Sequence, residues 1–162
     1  MMQEMAQMDQ SSFHGIFLDL KKAYDKVHRG RTLLILEGYG AGPRLRGILQ
    51  YFWDNQRIVA SQAGFYGNPF QAHKGLTQGG VASPTIFNIV CDAVGREWFH
   101  LLNLDGNGND VETQTREILM GFYADNSFQS ARDPEWLQVA FNHLIPLFER
   151  VGLKTNATKT KQ

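Results

Sequence analysis

The sequence predicts an α+β fold in which an antiparallel sheet packs against helices. Three observations carry that reading. Two short strand-like stretches, HGIFLDL at 14–20 and EILMGFYADNSFQS at 117–130, stand far apart in the chain, with longer helical patterns around them. The second stretch reads strand, tight turn, strand, because Asp125 and Asn126 bond local backbone readily and suit a tip. Finally, 43% hydrophobic content with eleven Phe in 162 residues is enough for one buried core and argues against disorder.

Residues 1–12 read as a polar, Met-rich leader, and 13–162 as one domain. His14–Asp19 is expected to be a central strand, since its apolar residues run together instead of alternating. Lys21–His28 reads as a loop or helical turn. A helix follows over Arg31–Glu37, stopped by Gly38 and Gly40. Pro43 opens the next, PRLRGILQYFWD, with Leu45, Ile48, Leu49, Phe52 and Trp53 at three-and-four spacing. Asn55–Gln62 is expected to form a strand that Phe70–His73 pairs with. Gly75–Pro84 is a glycine-rich loop. Ser83 should cap the helix after it, with Pro84 in the first turn. That helix, to about Leu102, should be the best buried, through Ile86, Phe87, Ile89, Val90, Val94 and Trp98.

Residues 103–110, NLDGNGND, read as a solvent loop whose ligand spacing is wrong for a calcium loop. Asp133-Pro134 opens a last helix, which Pro146 should kink or divide and Gly152 should end. The tail LKTNATKTKQ is polar and positive.

Formal net charge is +0. A self-sufficient nucleic-acid binder usually carries a basic surface, so the balance counts against one. The single cysteine, Cys91, lies in an apolar run and reads as a buried free thiol, with no intrachain disulfide possible. No apolar run is long enough to span a membrane, and no signal peptide is legible; an intracellular setting is expected.

Asp19 and Asp125 each end an apolar run. Either alone suits a turn cap. Together, at the tips of neighbouring strands, they would share a divalent cation. Phosphoryl transfer to a 3′-hydroxyl needs such ions, and Mg²⁺ takes hard oxygen ligands, commonly one or two carboxylates plus substrate phosphates. The Leu20 carbonyl would add a further oxygen.

Four motifs in order carry a family resemblance. FLDLKKAYDKV resembles the first metal-binding motif of reverse transcriptases. GLTQGGVASPTIFNIV is similar to their nucleotide- and template-positioning loop and helix. FYADN resembles their tyrosine–x–aspartate–aspartate hairpin, and GLKTNATKTK the lysine-containing motif that follows. The likeness covers about Phe13 to Lys161, and its flavour is that of group II intron, retron-like or non-LTR retroelement enzymes.

The resemblance implies a polymerase palm with a ferredoxin-like core and part of the fingers, residues 30–74 connecting the two. It implies RNA-directed DNA synthesis with Mg²⁺ or Mn²⁺, a primed RNA or DNA template and deoxynucleotides. Asp19, Asp125 and the Leu20 carbonyl would hold metal. Tyr24 would lie beneath the incoming sugar, Gln78 and Gly79 beside the incoming nucleotide, and Tyr123 near the primer terminus. Lys159 would stabilise the leaving pyrophosphate. Taken alone, Tyr24 and Tyr123 are partly buried or strand aromatics, Gly79 and Gly80 a turn, and Lys159 one of several tail lysines.

Two departures stand out. Asn126 occupies the place of the family's second hairpin aspartate, and an amide brings no charge to a metal. Few residues precede the Asp19 motif, and no primer grip or thumb follows Lys161. A palm fragment, weak or inactive alone, is therefore expected, with exposed apolar surface where the missing fingers and thumb would dock and a tendency to self-associate. The alternative is a non-catalytic structural or nucleic-acid-binding remnant. A two-aspartate phosphohydrolase is a third reading. A nucleotidyl cyclase is more distant, since its GG[DE]EF-type hairpin is absent.

Overall fold

The computed structural model describes residues 13–112, 116–123 and 126–156. Strand β1 (His14–Asp19) leads into a short helix α1 (Ala23–Lys26), then α2 (Arg29–Gly38) and α3 (Pro43–Asn55). Four two-residue strands follow, β2 (Arg57–Ile58), β3 (Ser61–Gln62), β4 (Phe65–Tyr66) and β5 (Phe70–Gln71). Helix α4 (Ser83–Leu101), strands β6 (Ile118–Tyr123) and β7 (Asn126–Ala131), and helix α5 (Pro134–Arg150) complete the order.

The main sheet is antiparallel with order β1-β7-β6. β1 is therefore an outer strand of this sheet, not the central one the sequence suggested. The reason lies in Phe17. Ile16 and Leu18 face the helices and are buried, while Phe17 points the other way and is 61% exposed. It packs on Phe128 across the ladder, with ring centroids 4.7 Å apart. An unbroken apolar run here means two different environments, not double-sided burial. The central strand is β7, whose Ser127, Gln129 and Ser130 are buried; Gln129 donates to Ser127 Oγ at 2.8 Å.

Helices α4 and α5 supply the core. Phe87, Val90, Cys91, Val94 and Trp98 of α4 are buried with Leu137, Ala140, Leu144, Leu147 and Phe148 of α5. Trp98 Nε1 donates to the Ala140 carbonyl at 2.7 Å, tying the helices together. The start of α4 differs from expectation: Ala82 is the N-cap residue and no side chain caps it. Ser83 instead lies buried inside the first turn, its Oγ filling the space where a Cβ on Gly80 would come within 2.8 Å.

Asp133 does cap α5, accepting from the Glu135 and Trp136 amides. Pro146 does not divide the helix, which runs unbroken to Arg150. An internal proline costs about 3 kcal/mol. Burying Leu144, Leu147 and Phe148 on the flanking turns stabilises by about 1.5–3 kcal/mol each, which outweighs it.

Residues 55–62 form no single strand. β2 pairs with β5 and β3 with β4, making an irregular arm whose tip turns through Ala63 (φ 49°) and Gly64 (φ 82°). The expected pairing of the Phe70 segment is present. Residues 103–110 are more ordered than a solvent loop. Leu104 is buried, and Asp105 accepts from the Asn107 and Asn109 amides and the Asn109 side chain. Those donors, the Asn109 amide foremost, hold the Asp105 carboxyl below its ordinary range.

The amphipathic spacing of α3 gives a helix, but only Trp53 is buried. Leu45, Ile48, Tyr51 and Phe52 are exposed, as are Phe65, Tyr66 and Phe70 on the hairpin arm. Cys91 is a buried free thiol, as expected, and burial pushes its pKa up to about 12. Among the described residues no helix is long and apolar enough to cross a membrane.

Candidate functional site

Alternation along the strands places residues 15, 17 and 19 of β1 on one face of the sheet. The ladder puts Asn126 and Phe128 of β7, and Gly121 and Tyr123 of β6, on that same face, away from the α4–α5 core. Asp19 is the last residue of β1 and pairs with Asn126, which in turn pairs with Tyr123. A carboxylate, an amide and a phenol therefore sit side by side at one end of the open face. Asp19 is partly exposed and Tyr123 is 85% exposed.

The other predicted metal ligand on the hairpin, Asp125, and the predicted phosphate lysine, Lys159, lie outside the described residues. Leu20 forms an isolated bridge with Thr155, and its side chain is buried. That bridge carries the segment after α5 along the outer edge of β1. Lys21 N donates to the Lys154 carbonyl and Asn156 N to the Asp19 carbonyl, both at 2.8 Å. The Asn156 side chain also donates, from Nδ2 to Asp19 Oδ2 at 2.7 Å. The sequence marks Asn156 only as the first residue of an Asn-Ala-Thr glycosylation pattern at 156–158, not as a partner of Asp19. The signal would have been a neutral donor inside the motif that also carries Lys159.

Tyr24, on α1, is half-buried and stacks on Phe87 of α4 with centroids 4.8 Å apart. Its carbonyl accepts from Leu76 N at 2.6 Å. The glycine-rich loop is thereby laced to the segment after β1, since Gly75 N donates to the Val27 carbonyl and Gln78 Nε2 reaches Asp25 Oδ1 at 3.3 Å. Gly75 has φ 84°, and a Cβ there would lie 2.8 Å from the Asp25 carbonyl oxygen. Only glycine permits both. Gly79 also has a positive φ, 79°, but with open space around it.

Arg29 is the largest omission of the sequence reading. It is buried, and its guanidinium donates to the carbonyls of Gly75 (2.8 Å), Trp53 (3.0 Å) and Ala72 and to Gln56 Oε1 (2.7 Å). It also lies 5.7 Å from the Trp53 ring. One side chain thus ties α2, α3, the hairpin arm and the glycine-rich loop together. Burial lowers its pKa, with Asp54 acting in the opposite direction. The structure starts α2 at Arg29, two residues before the expected Arg31, which puts this cation in the first turn, where it opposes the macrodipole.

Asp19 and Asn126 present only oxygen and amide groups, a donor set that suits a hard cation such as Mg²⁺ better than a thiophilic one. Among the described residues no three His, Cys, Asp or Glu side chains gather as a metal cluster.

Residues 2–162 match the family of reverse transcriptases (RNA-dependent DNA polymerases). The chain is 26% identical over 142 residues to a retrovirus-related Pol polyprotein from the type-2 retrotransposable element R2DM of Drosophila melanogaster, covering 88% of this chain and 13% of that protein. Its fold is similar to the telomerase of Candida tropicalis solved with the TWJ fragment of telomeric RNA, at TM-score 0.75 and 13% identity, covering 98% of this chain and 27% of the other. It is similar too to the apo telomerase of that organism lacking its C-terminal domain, at TM-score 0.72 and 15% identity, with 98% and 32% covered. The chain thus spans under a third of each of these proteins. With nearly every residue matched, and the sheet and helices arranged as a palm-like core, the chain belongs to the reverse transcriptase family.

Proposed function

We propose that the chain is a palm module that binds primed nucleic acid and, by itself, frames a nucleotidyl-transfer site without carrying out robust templated synthesis. The observation that supports this most is the pairing of Asp19 with Asn126 at the open end of the sheet. A carboxylate faces an amide there, so the negative charge offered to a cation is lower than in a site with two adjacent hairpin carboxylates. Net neutrality weighs against tight nucleic-acid binding by this chain alone, since phosphate binding draws on a basic surface.

In this reading the reaction belongs to a longer protein. The primer 3′-oxygen attacks the nucleotide α-phosphorus, a new P–O bond forms, the α–β bond breaks and pyrophosphate leaves. Asp19, Asp125 and the Leu20 carbonyl would hold Mg²⁺ or Mn²⁺, which supplies charge stabilisation and a more acidic 3′-hydroxyl. Tyr24 borders the sugar, Gln78 and Gly79 the incoming nucleotide, Tyr123 the primer end, and Lys159 the departing pyrophosphate. The exposed apolar faces of α3 and the hairpin arm would meet fingers and thumb segments of a longer protein, or a second copy of the chain, in an intracellular setting that keeps Cys91 reduced.

Primer extension on an RNA template with deoxynucleotides tests this. The chain alone should give little or no product. A longer version carrying fingers and thumb segments and Asn126→Asp should extend the primer. Absence of synthesis by that version would remove the polymerase half of the reading and leave a non-catalytic binding module.

A further inference from the structure

We infer that Asn156 is a positioning residue for the Asp19 carboxylate, a role that rests on the reading of Asp19 as a cation ligand. Two bonds join residues 137 positions apart. The Asn156 amide N donates to the Asp19 carbonyl at 2.8 Å, and Nδ2 donates to Asp19 Oδ2 at 2.7 Å. Backbone and side chain of the same acidic residue are therefore held from one point.

The chemistry of the donor matters. Asp19 ends a strand on an open, solvated face, where a carboxylate would otherwise sample several rotamers. A neutral amide fixes one oxygen and leaves the full negative charge in place. A lysine at this position would fix it as well, but would compete with a divalent cation for the same charge. With Oδ2 occupied by Asn156, Oδ1 is the oxygen left to face Asn126 and a cation. Partners of this kind orient metal-ligating side chains, and losing one typically lowers metal affinity about 10–100-fold.

The segment is also held at points other than the Asn156 side chain. Leu153 is fully buried. His28 N donates to the Val151 carbonyl at 2.9 Å, and Lys21 N to that of Lys154. Gly152, at φ 88°, lies so close to α1 that a Cβ would come 2.5 Å from the Lys26 carbonyl oxygen. Replacing this one partly buried amide should thus leave the fold intact while loosening the Asp19 carboxylate.

The test uses Mn²⁺ titration followed by electron paramagnetic resonance, thermal melting, and the ¹H–¹⁵N side-chain amide signal of Asn156. Wild type should bind Mn²⁺ and Asp19→Ala should lose that binding. Asn156→Ala and the isosteric Asn156→Leu should bind about 10-fold more weakly with melting curves close to wild type. The Asn156 amide signal should shift in Asp19→Ala. If both Asn156 variants bind Mn²⁺ as wild type does while Asp19→Ala does not, the positioning role is wrong and the cation site stands. If Asp19→Ala binds unchanged, or wild type binds none, the cation site itself is wrong and the inference goes with it. An Asn156 amide signal indifferent to Asp19→Ala overturns the clamp without reference to any metal.

Discussion

Asp19 and Asn126 are partners at the last step of the β1–β7 ladder. Directly opposed residues on one face have Cβ atoms about 4.5–5.5 Å apart, close enough for their side chains to share a ligand. What they share depends on one atom: the Asn126 amide nitrogen stands where a carboxylate would have a second oxygen.

Asn126→Asp should therefore strengthen divalent-cation binding and weaken the cation-free fold. Like charges directly opposite cost about 0.2–1 kcal/mol, and the melting temperature should fall slightly without metal. Adding Mg²⁺ should recover it, because a ligand that binds only the folded state stabilises by mass action. Thermal melts of both proteins across a Mg²⁺ series measure this; a variant that melts identically with and without the ion would contradict it.

Arg29→Ala should be among the most destabilising single changes, at about 3 kcal/mol, because it strands several carbonyl acceptors at once. Arg29→Lys should not restore the loss, since an ammonium cannot reproduce a planar fork. Urea denaturation gives the global effect. Hydrogen exchange over residues 56–77 should show the loosening concentrated where the guanidinium bonds lie.

The two loop glycines make an internal comparison. Gly79→Ala meets no neighbour and should cost about 1 kcal/mol, from the left-handed backbone alone. Gly75→Ala carries the same cost and also drives its Cβ against the Asp25 carbonyl, so it should be clearly worse. Equal destabilisation of the two in denaturant melts would argue against the tight lacing of the loop to α1.

Cys91 links stability to alkaline pH. Its pKa rises from the ordinary 9.0 to about 12 on burial, so the folded protein holds the thiol proton more tightly than the unfolded chain. The contribution is fully present below about pH 9 and is lost as pH climbs towards about 12. Cys91→Ala should flatten that part of the stability–pH profile. Native Cys91 should resist a thiol reagent at neutral pH and react once the chain is unfolded.

Asp133→Ala removes the acceptor for the Glu135 and Trp136 amides and should cost about 1 kcal/mol. Asp133→Ser should retain most of the stability, since a hydroxyl can also cap. A calorimetric comparison of the two variants isolates the cap from the charge.

The sequence alone determined the main helices, β1 and the β6–β7 hairpin in their order, but not the four-strand arm at 57–71, because strand runs, helix faces and turn residues are local signals. It also pointed to the family, through four short motifs, and the match over residues 2–162 shows that family. Only the tertiary structure decided which strand is central, since Phe17 is apolar yet faces outward onto Phe128. Only the structure showed Asp19 paired to Asn126 and gripped by Asn156, and Arg29 bonded across four segments. These are contacts between residues distant in the chain. No local periodicity encodes them, because hydrogen-bond partners are chosen by packing after the helices and strands have formed.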